Sequence, residues 1–261
     1  MVQKAEQKDE QSLKKFLLKD PVYNTFLLSD LETYGFQQEF QKIYFEKDQN
    51  SEYQVVYLTF YNNLILAGDP KYLDAGFVRS LKEQGITVVM GRAELVEQVS
   101  KILNIPILPS QKKHLYCKEK CMEHEEVDSK IQIASLDDVD KLYDFLMSID
   151  ELKNMYQAKE MIVQRIANHE GTHVFIEENG AVIAHANTTA KTEKTVMIGG
   201  IGVHPKKRHQ GLASNVVAFL AEQSNKEGRI PCLFSQYPEE QSFLKKIGFH
   251  EIGFWGALEL Q

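Results

Sequence analysis

The sequence predicts a mixed α+β fold built as two halves in tandem, and three observations carry that prediction. Strand-like segments alternate with segments of helical periodicity, the order in the second half is similar to that in the first, and the halves are separated by residues 108–130, where charge is dense and apolar periodicity fades. At 261 residues, 43% hydrophobic and 26% charged, the chain is long enough for two cores of about 130 residues each. The boundary is expected between residues 127 and 128, giving halves 1–127 and 128–261.

In the first half, residues 20–35 (DPVYNTFLLSDLETYG) read as a helix that Asp20 caps, Pro21 opens and Gly35 stops. Two strands follow, 40–46 and 53–68, rich in β-branched and aromatic residues, the second folded back at Asn62-Asn63. Residues 70–85, 86–91, 92–103 and 114–120 then read as helix, strand, helix and strand.

The second half carries sharper signals. IQIAS (131–135) is a short strand, and residues 137–149 set Val139, Leu142, Tyr143 and Leu146 on one helical face. Residues 155–171 carry a second amphipathic pattern that ends at Gly171. Residues 174–186 read as a hairpin, because Asn179-Gly180 is the pair a two-residue type I′ turn prefers. The strand TVMIGGIGV (195–203) leads through a short loop into a helix with Leu212, Val216, Phe219 and Leu220 at helical spacing, closed by Gly228. A strand (231–235), a short helix between Pro238 and Gly248, and a last strand (250–260) complete the pattern, with no repeat at solenoid period.

Composition excludes several classes. A net charge of −7 argues against nucleic acid as a general partner, since that affinity comes mostly from neutralising phosphates. No apolar run is long enough to span a bilayer and the first 20 residues are too polar for a secretory signal, so a cytosolic protein with no membrane partner is expected. The three cysteines, Cys117, Cys121 and Cys232, have no disulfide-framework spacing, which suits a reducing compartment.

Against that acidic balance, Lys206, Lys207 and Arg208 stand side by side between the end of a strand at Val203 and a helix that begins near Gln210. A helix start presents unpaired backbone N–H groups at the positive end of its dipole. Gly211 offers no side chain to obstruct an anion, Ala213 keeps the next surface position small, Ser214 adds a hydroxyl donor, and the cations draw a multiply charged ligand in. The arrangement suits a pyrophosphate.

Val203, Pro205, Arg208, Gly211 and Ala213, in strand-loop-helix context, resemble the acetyl-CoA loop of the GNAT acetyltransferase superfamily: Val-x-Pro, two residues, then Arg/Gln-x-x-Gly-x-Gly/Ala. FLKKIGF (243–249) is similar to that family's closing motif, and LKDPVYNTFLLSDLETYG (18–35) resembles the front of bacterial two-part members. The resemblance implies a central mixed, mostly antiparallel sheet flanked by helices in two GNAT-like halves, the first degenerate, since its junction VVMGRAELVEQ lacks the Arg-x-x-Gly-x-Gly/Ala pattern. It implies acetyl-CoA as cosubstrate, held by Ile201, Gly202 and Val203 along the strand and by Arg208, His209, Gln210, Gly211, Leu212, Ala213 and Ser214 at the loop. Gly199, Gly200 and Gly202 would let the strand bulge and a ligand lie close. The implied reaction is direct attack by the primary amine of a small molecule or peptide on the thioester; a homodimer is compatible with the sequence.

Two departures bear on the chemistry. Leu244 stands where family members often have a proton-donating tyrosine, and Met197 falls near their frequent strand glutamate. Tyr237 is the substitute acid the sequence offers, and His185 and Glu193 are candidate bases by neighbourhood. A binding module that keeps the cradle without turnover is the competing expectation. His114, Cys117, Cys121 and His124 give H-x2-C-x3-C-x2-H, but on a strand the two cysteines fall on one face and His114 on the other, so no metal is expected there.

Overall fold

In the computed structural model, residues 1–119, 130–156, 158–236 and 238–260 are described. The chain folds into two compact units: unit 1 comprises Met1–Leu115, Phe234–Gln236 and Ile252–Gln261, and unit 2 comprises Tyr116–Leu233 and Tyr237–Glu251. The boundary expected at 127/128 falls outside the described residues.

The first half of the chain forms β1 (Gln3–Lys4), α1 (Glu10–Leu17), α2 (Thr25–Tyr34), β2 (Gln41–Lys47), β3 (Tyr53–Phe60), β4 (Asn63–Gly68), α3 (Ala75–Glu83), β5 (Val88–Arg92), α4 (Ala93–Leu103) and β6 (Lys112–Cys117). The second forms β7 (Ile131–Ile133), α5 (Val139–Ser148), α6 (Glu160–Ala167), β8 (His173–Glu178), β9 (Ala181–Lys191), β10 (Thr195–Val203), α7 (Leu212–Lys226), β11 (Ile230–Ser235), α8 (Pro238–Lys246) and β12 (His250–Glu259). The class is mixed α+β, with sheets that are mostly antiparallel and flanked by helices.

In unit 1 the strand order is β1-β2-β3-β4-β5-β12. β4 and β5 pair in parallel, and α3 lies between them in sequence. Alternation along β3 sorts the core by face. Val56 and Leu58 pack with Leu13, Leu17, Leu27 and Leu31 from α1 and α2, while Val55 and Tyr57 pack with Val78, Leu81, Val96 and Val99 from α3 and α4. β12 closes the sheet against β5, from Trp255 opposite Arg92 to Glu259 opposite Val88.

Unit 2 has the order β6-β11-β10-β9-β8-β7, with β10 and β11 parallel and α7 between them in sequence. Val174, Ile176, Ala184 and Ala186 pack under Val216, Val217, Leu220 and Ala221 of α7. On the other face Phe175 and Val182 meet Leu142, Phe145 and Leu146 of α5 and Ile162 of α6. At about 1.5–3 kcal/mol for each fully buried large aliphatic, these packed faces hold α7 and α5 to the sheet.

Two local expectations change. Helix α2 begins at Thr25, not Asp20, because residues 20–24 form turns and the Asp20 carboxylate pairs with Arg92, whose guanidinium lies over the Tyr23 ring. The turn between β3 and β4 is Tyr61-Asn62, with Tyr61 at φ +49°. The polar first 20 residues contain α1, which buries Leu13 and Leu17 one turn apart. The hairpin at Asn179-Gly180 has both residues at positive φ, +52° and +80°, as the type I′ turn requires.

Candidate functional site

The site begins where β10 loses a neighbour. Its parallel ladder with β11 runs from Thr195–Ile230 to Ile198–Leu233 and stops there. From Gly199 to Val203 the strand pairs with β9 only, among the described residues. One edge of its backbone is therefore open to an extended ligand that could supply the missing ladder partners.

The same stretch is bulged. Gly199 is opposite Asn187 and Gly202 is opposite His185, so three steps on β10 match two on β9. Gly200 sits at φ +57°, and a Cβ there would collide with the Asn187 amide oxygen. Its carbonyl leaves the ladder to accept a hydrogen bond from His185 Nδ1–H at 2.7 Å. A peptide is planar and trans, so fixing the Gly200 carbonyl also fixes the Ile201 N–H, which points the opposite way. Gly202 owes its missing side chain to packing within the unit: a Cβ would lie 2.6 Å from Leu152 Cδ1 and 3.5 Å from the Phe145 ring.

His185 is fully buried, and its Nε2 lies 3.0 Å from His173 Nδ1. With His185 Nδ1–H committed to Gly200, neutral His185 accepts at Nε2 and His173 donates from Nδ1. Burial pushes His173 down to about 3, helped by His185 and Arg165, and burial also pushes His185 down to about 4 against the opposing pull of the Gly200 carbonyl. Both rings are neutral at pH 7. His173 Nε2 and Asn187 Oδ1 are buried without a hydrogen-bond partner among the described residues, on the sheet face where Tyr156 packs against His173.

Beyond Val203 the loop makes one 3-10 turn, Pro205–Lys207, with the His204 ring accepting from Lys206 N–H at 3.3 Å. His209 and Gly211 take positive φ, +64° and +80°, and residues 208–211 are exposed. Gly211 is the N-cap of α7 and provides no side-chain cap, and the first turn holds no acidic residue. The first intrahelical bond is Asn215 N–H to Gly211 C=O at 3.1 Å, which leaves the N–H groups of Leu212, Ala213 and Ser214 without a partner among the described residues. Nothing lies within 4 Å of the place a Gly211 Cβ would take. This is an open, positively polarised helix start.

The basic cluster is less bare than its sequence suggests. Arg208 Nη2 reaches both Glu151 oxygens, at 3.1 and 3.3 Å, and Lys207 pairs with Glu178. Lys206 has no ion pair among the described residues, so the field at the loop comes chiefly from Lys206 and the helix start.

The candidate acids and bases are dispersed. Tyr237 lies outside the described residues. His185 has both ring nitrogens engaged and cannot meet a substrate. Glu193 is exposed in the turn before Thr195, at the opposite end of β10 from the loop. Met197 and Leu244 are core residues, 3% and 1% exposed, and present nothing titratable. The only trace of the His173–His185–Gly200 chain in the sequence is two histidines, which register places diagonally on one face of adjacent strands, beside a glycine-rich third strand.

The family model described as GNAT acetyltransferase matches residues 20–258. Among solved structures, an acetyltransferase from the GNAT family of Colwellia psychrerythraea is 14% identical, with all of both chains covered and a TM-score of 0.59. A GCN5-related N-acetyltransferase from Sphaerobacter thermophilus is 10% identical over 98% of this chain and 94% of that one, with a TM-score of 0.62. A GCN5-related N-acetyltransferase-like protein from Streptococcus suis 89/1591 is 14% identical over 97% and 99%, with a TM-score of 0.56. At these identities the likeness to the solved structures is one of fold. No curated protein matches the chain.

Proposed function

The chain belongs to the GNAT acetyltransferase family, and from that premise we propose that it transfers an acetyl group from acetyl-CoA to a primary amine of a small molecule or peptide in the cytosol. The observation that carries the reading is the uncapped start of α7 directly after a strand whose edge is unpaired and bulged. The N–H groups of Leu212, Ala213 and Ser214, with Gly211 clearing the approach and Arg208, His209 and Gln210 forming its rim, suit the pyrophosphate of CoA. The backbone of Ile201, Gly202 and Val203 suits the amides of the pantetheine arm.

Acetyl-CoA supplies an activated acyl group on a thiolate that leaves readily. The chain supplies position and polarisation. The Ile201 N–H, held by the Gly200 carbonyl that His185 pins, donates to the thioester oxygen, where negative charge grows as the amine nitrogen bonds to the carbonyl carbon and the C–S bond breaks. No covalent enzyme intermediate is invoked: the described thiols, Cys117 and Cys232, are buried, and Cys232 donates to the Val196 carbonyl. In this reading the amine's proton passes to solvent water, and the departing sulfur takes one from Tyr237, which solvent then restores.

A second reading, a CoA-binding module with little turnover, is favoured by the burial of Met197 and Leu244 where family members often carry acid and base. Calorimetric titration with acetyl-CoA, followed in the same sample by thiol release against a panel of amines, separates the two. Binding with release supports the transferase, binding with no release across the panel supports the module, and no binding overturns both.

A further inference from the structure

The cysteine-rich stretch singled out in the sequence finds a partner far from it. Cys117, at the end of β6, is 1% exposed and its Sγ lies 3.4 Å from Nε2 of His250, the first residue of β12 and 133 positions away. The exposed Glu119 brings a carboxylate to the same place, so that the ligand atoms of Cys117, Glu119 and His250 all lie within 4.8 Å of one another. All three belong to unit 2. None takes part in the α7 cradle.

We infer that Cys117, Glu119 and His250 form a binding site for one zinc-like divalent cation, with a water molecule as the fourth ligand. The donor set is right for such an ion: a thiolate, an imidazole nitrogen and a carboxylate oxygen are the three ligand types zinc takes, and three protein ligands plus water is its open tetrahedral form. The spacing is right as well. Tetrahedral zinc, with bonds of about 2.3 Å to sulfur and about 2.0–2.1 Å to nitrogen, sets those two atoms about 3.5 Å apart. The Cys117–His250 pair already stands at that separation, and the exposed Glu119 side chain needs a swing of about 1–1.5 Å to close the third side.

The frame around the site is fixed before any ion arrives. Tyr116 donates its hydroxyl to Glu251 at 3.3 Å, Lys118 N–H donates to the Pro231 carbonyl at 3.0 Å, and Asn225 Nδ2 donates to the Lys118 carbonyl at 3.2 Å. Two ligand-bearing segments are thus held side by side, so that an ion would meet a partly ordered site instead of ordering one. Burial raises the Cys117 thiol to about 11, with the Glu119 charge adding to it. Metal binding therefore exchanges a proton for the ion: the S–H bond breaks, sulfur bonds the cation, and one proton passes to solvent. His114, the other histidine of the local motif, packs against Phe254 at 4.7 Å, and Cys121 and His124 lie outside the described residues.

The test uses the full chain, stripped with a chelator and titrated with cobalt(II) and then zinc(II). The expected result is one ion per chain, a sulfur-to-cobalt charge-transfer band with the visible spectrum of tetrahedral cobalt, displacement by zinc, and one proton released, read by calorimetry in two buffers of different ionisation enthalpy. Cys117→Ser should abolish the charge-transfer band and weaken zinc binding at least about 100-fold, His250→Asn about 10–100-fold and Glu119→Gln about tenfold. His250 is exposed, so His250→Asn should unfold at the same denaturant midpoint as the wild type when no metal is present, which keeps the affinity comparison free of folding defects. Absence of saturable one-to-one binding overturns the inference, leaving the Cys117–His250 contact as a thiol–imidazole hydrogen bond. So does an affinity and cobalt spectrum unchanged in His250→Asn, which would assign the ion to other residues.

Discussion

The two units contain the same connection twice, a strand followed by a 3-10 turn, a helix and a parallel strand, and they finish its helix start in opposite ways. In unit 1, β4 leads through Pro70–Tyr72 to α3, where Asp74 is the N-cap and its carboxylate accepts the Phe77 N–H at 2.8 Å. In unit 2, β10 leads through Pro205–Lys207 to α7, where the cap is Gly211 and no side chain accepts. One helix start carries its own anion and the other leaves its donors exposed. An Asp cap stabilises a helix over a Gly cap by only a few tenths of a kcal/mol but closes the place where a phosphate would sit, so the small stability forgone at Gly211 is the condition for a binding site there. The comparison also moves the first-half counterpart of the loop: parallel pairing assigns it to β4–α3, whereas VVMGRAELVEQ is the next connection, β5–α4.

Putting the α3 solution into α7 is the strongest way to break the contrast. Gly211→Asp should place a carboxylate over the free N–H groups and weaken acetyl-CoA at least about 100-fold by calorimetry, and unaltered affinity would show that the ligand does not use this helix start. His185→Leu should lower kcat about 10–100-fold while the KM for acetyl-CoA changes less than about twofold, because the Ile201 N–H loses its orientation and the phosphate cradle does not. His185→Asn, whose amide N–H can stand where Nδ1–H stood, should recover much of that loss.

The histidine pair also makes a pH prediction. Both folded-state values lie well below the about 6.5 of an unfolded histidine, so the unfolded chain binds more protons as pH falls through 6.5 toward 4 and 3. Their contribution to stability is complete above about pH 6.5 and is lost progressively below it. Denaturant unfolding should show a steeper loss between pH 6.5 and 4 in the wild type than in His185→Asn. The mirror-image substitution, Asp74→Ala, should cost about 1 kcal/mol of stability by the same assay and leave acetyl-CoA affinity unchanged. Smallest of all, Lys206→Ala should weaken acetyl-CoA a few-fold and reduce its salt dependence, with Lys207→Ala weaker in effect because Glu178 already neutralises that charge.

Features encoded in a few adjacent residues were legible in the sequence. Asn179-Gly180 fixed its turn through two positive-φ positions, and the strand, loop and glycine-capped helix at 195–226 could be read because turn chemistry and helical periodicity are both short-range signals. Contacts set by sheet register were not legible. The bulge that joins His185 to Gly200 depends on one extra residue in β10 relative to β9, and nothing local in either strand reveals it. Gly202 illustrates the same limit: it looked like room for a ligand, yet its space belongs to Leu152 and Phe145. The loop cations promised a concentrated field, but Glu151 and Glu178, placed beside Arg208 and Lys207 only by folding, offset part of it.

The interleaving of the units in sequence has a consequence for how the chain is made. Unit 1 needs residues 255–259 to cover the edge of β5, and unit 2 needs residues 116–119, which are made before the rest of it. During synthesis at roughly 5–20 residues per second, the β5 edge therefore waits about 8 to 30 s, some 160 residues, for Trp255 and its neighbours to arrive. Through that interval a nascent chain exposes a Val-rich strand edge that could pair with another copy of itself. The first half thus depends on the second to finish folding, and a chain interrupted after residue 128 would leave β5 without the strand that protects it.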